Sequence, residues 1–297
     1  MIADCGTKSL VGMIAGALAV AVPGPAAVGA QDLGRDVAVW RWDGRIDSGR
    51  WFRLSSVNGP VTVELSPDNL VHVRAEKIVR RGKVSDVRFQ VVQGGGDVRV
   101  CALWQPDDIC EEDGLRSGGR GRRDDDDGDN RPDVQVRFTV RVPRGVRLGA
   151  GTVNGSMTVR DVTSDVRASS VNGGVQVGNV GGEVKATTVN GNVDVTTRSG
   201  PVNASTVNGN IRARMATLGS SGDMKFNTVN GNVVVETPAS TNADVSMNTM
   251  HGTLSSDFPV QISGKFGPRR AEGRIGNGGP DLTMRTLNGS IELRRAR

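Results

Sequence analysis

A short motif, Thr/Ser-Val-Asn-Gly, recurs through this chain and constrains its fold more than any other feature of the sequence. Four copies are spaced 18 residues apart and begin at Thr152, Ser170, Thr188 and Thr206. A further copy begins at Thr228, variants begin at Thr249 and Thr286, and one early copy stands alone at Ser56. A fixed period of this length indicates a stack of equivalent units, each of which buries its apolar side chains against the next.

Each period contains two short runs in which apolar and polar residues alternate. One run follows the Asn-Gly pair, as in Val193-Asp194-Val195, and the other begins half a period later, as in Val202-Asn203-Ala204. Alternation over three to five residues, bounded by glycine, predicts short β-strands and not helices. Because Asn-Gly also favours tight turns between antiparallel strands, a hairpin meander is the alternative arrangement.

The constant register favours a parallel stack over the meander. If each period is one coil, residue i lies on residue i+18, and like residues form ladders about 4.8 Å apart. We therefore predict an all-β fold, a parallel single-stranded β-solenoid (β-helix), right-handed, with about 18–22 residues per coil in its C-terminal half. Three inward ladders are expected: Val175, Val193 and Ile211; Val166, Val184 and Val202; Ala168, Ala186 and Ala204.

A further ladder is expected at the turn that carries the motif. Asparagine suits this turn because it tolerates a left-handed backbone, and because its amide can hydrogen-bond along the stack. The ladder comprises Asn154, Asn172, Asn190, Asn208, Asn230, His251 and Asn288. A calcium-binding roll does not fit this spacing, since the positions at which it needs aspartate hold Gly173, Gly191 and Gly209.

The composition agrees with a thin, repeated core. Aromatic residues make up only 3% of the chain, and tyrosine is absent. Aromatic side chains usually fill the middle of a compact core, so valine, alanine and threonine are expected to fill a narrow one here.

Residues 1–30 are predicted to be a secretory signal peptide. Lys8 supplies a positive charge, residues 10–22 form a nearly unbroken run of small apolar residues, and Val28-Gly29-Ala30 resembles a cleavage site. We expect cleavage after Ala30 and export to the periplasm or the extracellular space, with an uncleaved anchor as the alternative. No transmembrane segment is predicted in the mature chain.

The remaining chain is divided into two parts on one axis. Residues 31–150 are expected to form wider, irregular coils interrupted by a charged loop at residues 105–132, and residues 151–297 the regular repeat. The acidic run at residues 124–129 does not fit a calcium-binding EF-hand, because Arg123 and Val134 would occupy ligand positions. A solvated loop is the favoured interpretation.

Few residues suggest chemistry. Export leaves Cys101 and Cys110 as a pair in an oxidising compartment, which predicts a disulfide. A metal site there is disfavoured, because no histidine lies near and the spacing is not Cys-x-x-Cys. The two histidines, His72 and His251, are far apart in the sequence. No catalytic, cofactor-binding or metal-binding residue is therefore predicted.

The repeats, together with several other motifs, resemble the bacterial DUF4097 family of β-strand-repeat proteins, which are described as adhesin-like. The resemblance covers roughly residues 38–297 and includes residues 100–104, 138–143, 258–260, 264–270 and 287–293. It implies a single-stranded β-solenoid in an exported protein, and it implies no catalytic residues. His251 departs from the pattern, since asparagine is usual at that position.

These observations favour a non-enzymatic, exported β-solenoid that serves as a binding surface or cell-envelope scaffold. The net charge of +5 suits an anionic envelope glycan, with an envelope protein as the other candidate partner; nucleic acid is not expected, and a monomer is. The alternatives are a carbohydrate-active β-helix enzyme and a periplasmic envelope-stress sensor that acts through a protein partner. A carbohydrate-active enzyme would need acidic and basic residues clustered on one outward face. The outward positions instead alternate between acidic, basic and amide side chains without forming a cluster: Gln176, Lys185, Asp194, Asn203 and Arg212.

Overall fold

The computed structural model describes residues 33–117, 132–218, 222–264 and 268–296, and β-strands dominate these residues. The predicted signal peptide and residues 118–131 of the charged loop lie outside the described residues. The strands are β1 (Val39–Gly44), β2 (Trp51–Ser55), β3 (Val61–Leu65), β4 (Val71–Arg81), β5 (Arg88–Gly94), β6 (Asp97–Leu103), β7 (Ile109–Cys110), β8 (Leu115–Arg116), β9 (Asp133–Val142), β10 (Arg147–Asn154), β11 (Met157–Arg160), β12 (Val166–Asn172), β13 (Val175–Val180), β14 (Val184–Thr187), β15 (Val193–Thr197), β16 (Val202–Ser205), β17 (Ile211–Met215), β18 (Met224–Asn227), β19 (Val233–Thr237), β20 (Ala243–His251), β21 (Leu254–Ser256), β22 (Gln261–Ser263), β23 (Arg269–Ile275), β24 (Asp281–Asn288) and β25 (Ile291–Arg295). A short 3₁₀ helix, η1 (Val84–Asp86), lies between β4 and β5.

The strands form two long sheets and a small hairpin. Sheet A has twelve strands in the order β22-β23-β20-β24-β18-β16-β14-β12-β10-β2-β6-β5. Sheet B has eleven strands in the order β1-β4-β9-β3-β11-β13-β15-β17-β19-β25-β21. Strands β7 and β8 pair only with each other. The sheets lie on opposite sides of one core, because each coil contributes one strand to each sheet.

The middle of the molecule is a parallel β-solenoid, as predicted. From β10 to β19 the chain runs through five coils in sequence order, and all of their pairings are parallel. Val193 lies between Val175 and Ile211 in sheet B, at intervals of 18 residues, and Val233 follows Ile211 after 22. The two predicted ladders of sheet A are also present. The predicted period and inward ladders are therefore confirmed, whereas the handedness stays a prediction.

At both ends the coils do not stack in sequence order. The coil of β2 and β3 lies between the coil of β10 and β11 and the coil formed by β6 and β9. At the other end, the coil of β24 and β25 lies between the coil of β18 and β19 and the coil of β20 and β21. The copy at Ser56, which is isolated in the sequence, therefore lies beside the copy at Thr152 in the stack. The C-terminal coils do not stack in the order in which their copies occur in the sequence.

Antiparallel strands cover the two ends of the stack. At one end β4 pairs antiparallel with both β1 and β9, and β5 pairs antiparallel with β6. At the other end β23 pairs antiparallel with β20, and β22 with β23. Within residues 31–150, the alternating runs of β4 and β5 thus form end strands instead of the expected wider coils.

The core is narrow in the middle and broader at the ends. Its central coils are filled by valine and alanine, such as Val175, Ala186 and Val193, all fully buried. Aromatic side chains gather at the N-terminal end, where Phe89 stacks on Trp40 at 4.7 Å between ring centroids. The part of the chain that the structure describes contains no helix suited to crossing a membrane.

Candidate functional site

The predicted turn ladder lies along one corner of the solenoid, where each coil passes from sheet A to sheet B. Within it, each asparagine amide Nδ2 donates to the Oδ1 of the preceding coil at 2.8–2.9 Å, from Asn172 to Asn288. The order along the stack is Asn58, Asn154, Asn172, Asn190, Asn208, Asn230, Asn288 and His251. The ladder thus includes Asn58, which sequence reasoning missed, and it places Asn288 before His251.

The backbone of these turn residues differs from the expectation. Among the described non-glycine residues, a positive φ occurs at Asp161 and Asn179. The asparagines of the ladder therefore do not adopt the left-handed conformation that the sequence suggested. Their contribution to the corner is to hydrogen-bond one coil to the next through their side-chain amides.

The threonine and glycine of the motif also bond or pack between coils. Thr188 Oγ1 donates to the carbonyl oxygen of Gly173 at 2.8 Å, and Ser170 Oγ donates in the same way to Gly155 at 2.9 Å. A Cβ atom on Gly173 would lie 2.1 Å from the carbonyl oxygen of Gly155. The motif is therefore accounted for by the stacking of coils.

Cys101 and Cys110 are joined by a disulfide, with their Cα atoms 5.8 Å apart. Cys101 is on β6 and Cys110 on β7, and both are buried beside Leu103. The bridge fastens the hairpin of β7 and β8 to sheet A. The disulfide is therefore a structural link.

The acidic run at residues 124–129, which was considered as a calcium site, lies outside the described residues.

The two histidines lie near opposite ends of the stack. On β4, His72 Nδ1 lies 2.5 Å from Asp43 Oδ1, and Nε2 lies 2.9 Å from Asp68 Oδ1. Hydrogen bonds to Asp43 and then to Asp68 raise the pKa of His72 above its usual value. His251 is exposed at the other end. Within the described ranges, no group of three His, Cys, Asp or Glu side chains could hold a metal ion.

Lys77 is buried, but its contacts indicate a structural role. Its ammonium donates to the carbonyl oxygens of Gly34, Arg35, Val84 and Val87 at 2.5–2.8 Å. Burial lowers its pKa to about 8. These bonds fasten β4 to the segment before β1 and to the turn at η1.

The outer face of sheet A carries a column of five cations in register, interrupted at two coils. The cation column contains Arg99, Arg53, Arg167, Lys185 and Lys225, in that order along the stack. Gly149 separates Arg53 from Arg167, and Asn203 separates Lys185 from Lys225. The side chains alternate with buried core residues along each strand, so the column faces solvent.

The cations of this column differ in how they are compensated. Arg53 Nη1 lies 2.6 Å from Asp97 Oδ2, and Arg99 Nη1 donates to Ser55 Oγ at 3.0 Å. In contrast, Arg167, Lys185 and Lys225 are exposed and make no ion pair with any described residue. Three exposed cations without an ion pair to a described residue therefore lie along one line of sheet A.

A column of carboxylates runs along the same face, and in three coils it lies two residues before a cation, namely Arg167, Lys185 and Lys225. It contains Asp165, Glu183, Asp223, Asp281 and Asp244. Two residues of strand separate the columns by about 7 Å. Arg147 pairs with Asp165 at 3.4 Å, and Arg274 with Asp244 at 3.1 Å. Sheet A thus presents parallel rows of opposite charge.

Trp51 lies at the N-terminal end of these rows, surrounded by arginines. The guanidinium carbons of Arg167, Arg53 and Arg147 lie 4.6, 5.3 and 5.8 Å from its ring centroid. Cation–π attraction holds guanidinium groups over an indole face. The indole therefore positions Arg167 at the start of the uncompensated part of the column.

Sheet B has a shallow groove where one coil lacks a side chain. Gly178 lies between Arg160 and Thr196 in an outward column. The resulting groove has a volume of about 430 Å³, and Gln176 and Asp194 also line it. The groove offers hydrogen-bonding groups but no enclosed cavity.

The backbone at the edge of this groove is irregular. Asp161 and Asn179 have φ values of 61° and 58°, and their side chains hydrogen-bond to each other. A neighbouring groove of about 450 Å³ is lined by Arg144, Arg160 and Arg198, among others. Arginine, carboxylate and amide groups thus meet at this corner of sheet B.

The pattern of outward residues could not be recognised without assigning each strand to its sheet. The five outward positions considered above belong to different faces: Lys185 and Asn203 to sheet A, and Gln176, Asp194 and Arg212 to sheet B. Moreover, Arg53 and Arg99 join the column through non-sequential coils. The sequence does contain one sign of the cation column, because several strands of sheet A have a basic residue two positions after an acidic one, as in Asp165 and Arg167.

Comparison with known proteins gives a family for the chain. The model of the Toastrack DUF4097 family matches residues 55–294, which is most of the sequence. No curated protein matches the chain.

The chain resembles several solved structures, including one from Clostridium sporogenes and one from Bacteroides fragilis. A putative cell adhesion protein from Clostridium sporogenes has a TM-score of 0.35 at 10% identity, covering 87% of this chain and 99% of that one. A putative adhesin from Bacteroides fragilis has a TM-score of 0.37 at 10% identity, covering 87% of this chain and 97% of that one.

Proposed function

Because the chain belongs to the Toastrack DUF4097 family, we propose that it is a non-enzymatic, exported scaffold whose sheet A binds an anionic glycan of the cell envelope. The binding residues in this proposal are Arg167, Lys185 and Lys225, with Trp51 holding the first of them in place. A glycan chain would lie along the stack, so that several of its carboxylates meet cations in successive coils.

The observation that carries this proposal is the row of exposed cations that make no ion pair with any described residue. Arg167 and Lys185 are directly opposite each other in neighbouring strands, and Lys225 follows two coils later. The spacing is therefore about 4.8 Å, then about 10 Å. Parallel strands fix these positions, so a repeating polyanion could contact several cations without ordering the protein first.

The disulfide and the N-terminal sequence support export. A disulfide persists in oxidising compartments and is rare in the cytosol, and Cys101 and Cys110 are bonded. Residues 1–30 have the sequence pattern of a secretory signal. We place the protein in the periplasm or outside the cell on these grounds.

Binding of polygalacturonate, a linear acidic polysaccharide, tests the proposal. We expect titration calorimetry to show binding that weakens as salt is raised, because screening reduces the attraction between exposed charges. Replacing Arg167, Lys185 and Lys225 together by serine should weaken binding by about tenfold or more, at roughly 0.5 kcal/mol or more per lost contact. Neutral dextran should not bind.

The matched control removes three cations from the other sheet. Arg141, Arg160 and Arg212 are exposed on sheet B, and their replacement by serine changes the net charge equally. Equal loss of binding in both variants would overturn the assignment to sheet A. Release of new reducing ends from the polymer, abolished by Asp194→Asn in the groove of sheet B, would favour the carbohydrate-active enzyme instead.

A further inference from the structure

An unbroken row of aliphatic side chains is exposed along the corner that carries the motif. The ridge contains Val57, Val153, Val171, Val189, Val207, Val229, Leu287 and Met250, in the order of the coils. Its members from Val153 onward are each 37–43% exposed, although the residues on either side of the ridge hold the coils together. Eight coils in register extend the ridge for about 34 Å.

The corner around the ridge contains no charged residue. In each of the eight coils it consists of the four motif residues and the one that follows, from Ser56 to Pro60 in the first coil and from Thr249 to Thr253 in the last. None of these forty positions is Asp, Glu, Lys or Arg, although 23% of the chain is charged. Charged side chains at such positions would oppose packing against another protein. Both flat faces of the solenoid, in contrast, carry columns of charge.

We propose that this ridge is where two copies of the chain pack against each other. Side chains spaced about 4.8 Å apart along the ridge can pack between those of a partner only if the partner's side chains have the same spacing. A second copy has that spacing by construction, and the same uncharged corner faces it. In the ladder, each asparagine amide uses one N–H and one Oδ1 lone pair. A second N–H and a second lone pair remain on each amide, so the rows beside the ridge offer both donors and acceptors to an identical row.

The exposed area fits a weak dimer. Burying a whole valine side chain removes on the order of 100 Å² from water, so ridge members that are 37–43% exposed each offer roughly 40 Å². Two ridges together would bury about 640 Å² of apolar surface, which is less than the roughly 1,000 Å² of a stable specific interface and in the range of weak, transient ones. Because area of this size yields modest affinity, we expect a dimer in the micromolar range or weaker. The sequence alone suggested a monomer, because the spacing predicts which valines stack but not that those of the motif are exposed at the corner.

Sedimentation velocity of the purified chain from roughly 1 to 500 µM tests this proposal. The wild-type protein should shift from monomer to dimer across that range, and Val189→Lys combined with Val207→Lys should remain monomeric. Both positions are more than one third exposed, so the variant should retain its thermal stability. Should it fail to fold, Val189→Thr with Val207→Thr is the milder replacement, and it should weaken the dimer by about tenfold.

The control variant places the same two charges on sheet B, at the exposed positions Gln176 and Thr196, and it should dimerise like the wild type. A wild-type chain that remains monomeric at the highest concentration would overturn the proposal, as would a folded ridge variant that dimerises normally. Glycan binding by sheet A should be unchanged in the ridge variant, so this test is independent of the proposed function.

Discussion

At the corner of the solenoid, crowding between coils accounts for the glycine of the motif. The carbonyl oxygen of Gly155 accepts a hydrogen bond from Ser170 and lies against Gly173 of the next coil. Gly173 does not have a positive φ, so conformational freedom does not explain it. The same close approach recurs at Gly191, where a Cβ atom would lie 2.4 Å from the oxygen of Gly173.

Two adjacent glycines allow this explanation to be tested within one coil. Gly173→Ala should lower the free energy of unfolding by about 2 kcal/mol or more, because its Cβ would force neighbouring coils apart. Gly174→Ala is the control, since its Cβ would lie 3.5 Å from the oxygen of Asn192, an ordinary contact. It should be neutral or stabilise by about 0.5 kcal/mol. Urea unfolding measures both, and equal effects would contradict the crowding argument.

The sequence predicted which residues stack but not why each one is present. Asn172, Asn190 and Asn208 were identified from their spacing, and the structure places them in one ladder. The crowding that requires glycine could not be inferred from the sequence, since clashes with another coil depend on the distance between backbones. The bond of Thr188 to Gly173 likewise joins residues of different coils, and no local pattern encodes it.

At the scale of strands, alternation predicts a strand but not the direction of its partner. Strands β4 and β12 both alternate buried and exposed residues, yet β4 pairs antiparallel and β12 parallel. The constant period identifies the parallel coils, and it is missing from residues 60–150. The end strands could not be distinguished from coils there, because a two-residue period is common to both arrangements.

His72 links one of these antiparallel pairs, because it lies on β4 and its partner Asp43 lies on β1. Its pKa is raised in the folded protein, so the imidazolium stabilises the fold. This contribution is complete below the unfolded pKa of about 6.5 and is lost as the pH rises through the higher folded value. We expect Tm to fall by on the order of 2 °C across this range, since partly exposed ion pairs are weak.

The comparison of two histidine variants isolates this effect. His72→Gln should lower Tm relative to the wild type at pH 5.5, and the difference should shrink above the folded pKa. His251→Gln is the control, because His251 has no carboxylate partner among the described residues. Thermal unfolding followed by circular dichroism at several pH values gives the result. A pH-independent difference for His72→Gln would show that its charge does not stabilise the pair.

For the whole molecule, the order of coils in space decides which surfaces exist. The coil of β2 and β3 continues the cation column, the asparagine ladder and the ridge at the N-terminal end, and the coil of β24 and β25 continues the ladder and ridge at the other. Sequence spacing predicted five coils correctly, because their residues follow one another at 18 or 22 residues. It could not order the outer coils, since Asn230 and Asn288 are adjacent in space but 58 residues apart.

The position of β24 and β25 yields a prediction about exchange of backbone amides. Strands at the open end of a sequential solenoid would exchange fastest, because one edge has no partner. Here β24 and β25 are bonded on both sides, to β18 and β20 and to β19 and β21. In hydrogen–deuterium exchange, residues 281–295 should therefore be protected as strongly as residues 184–197 of the central coils. Residues 261–263 of β22, which pair on one side and are exposed, are the control for a true edge. If residues 281–295 exchange as fast as this edge, the last coil is not enclosed, and the ridge and ladder are shorter than eight coils.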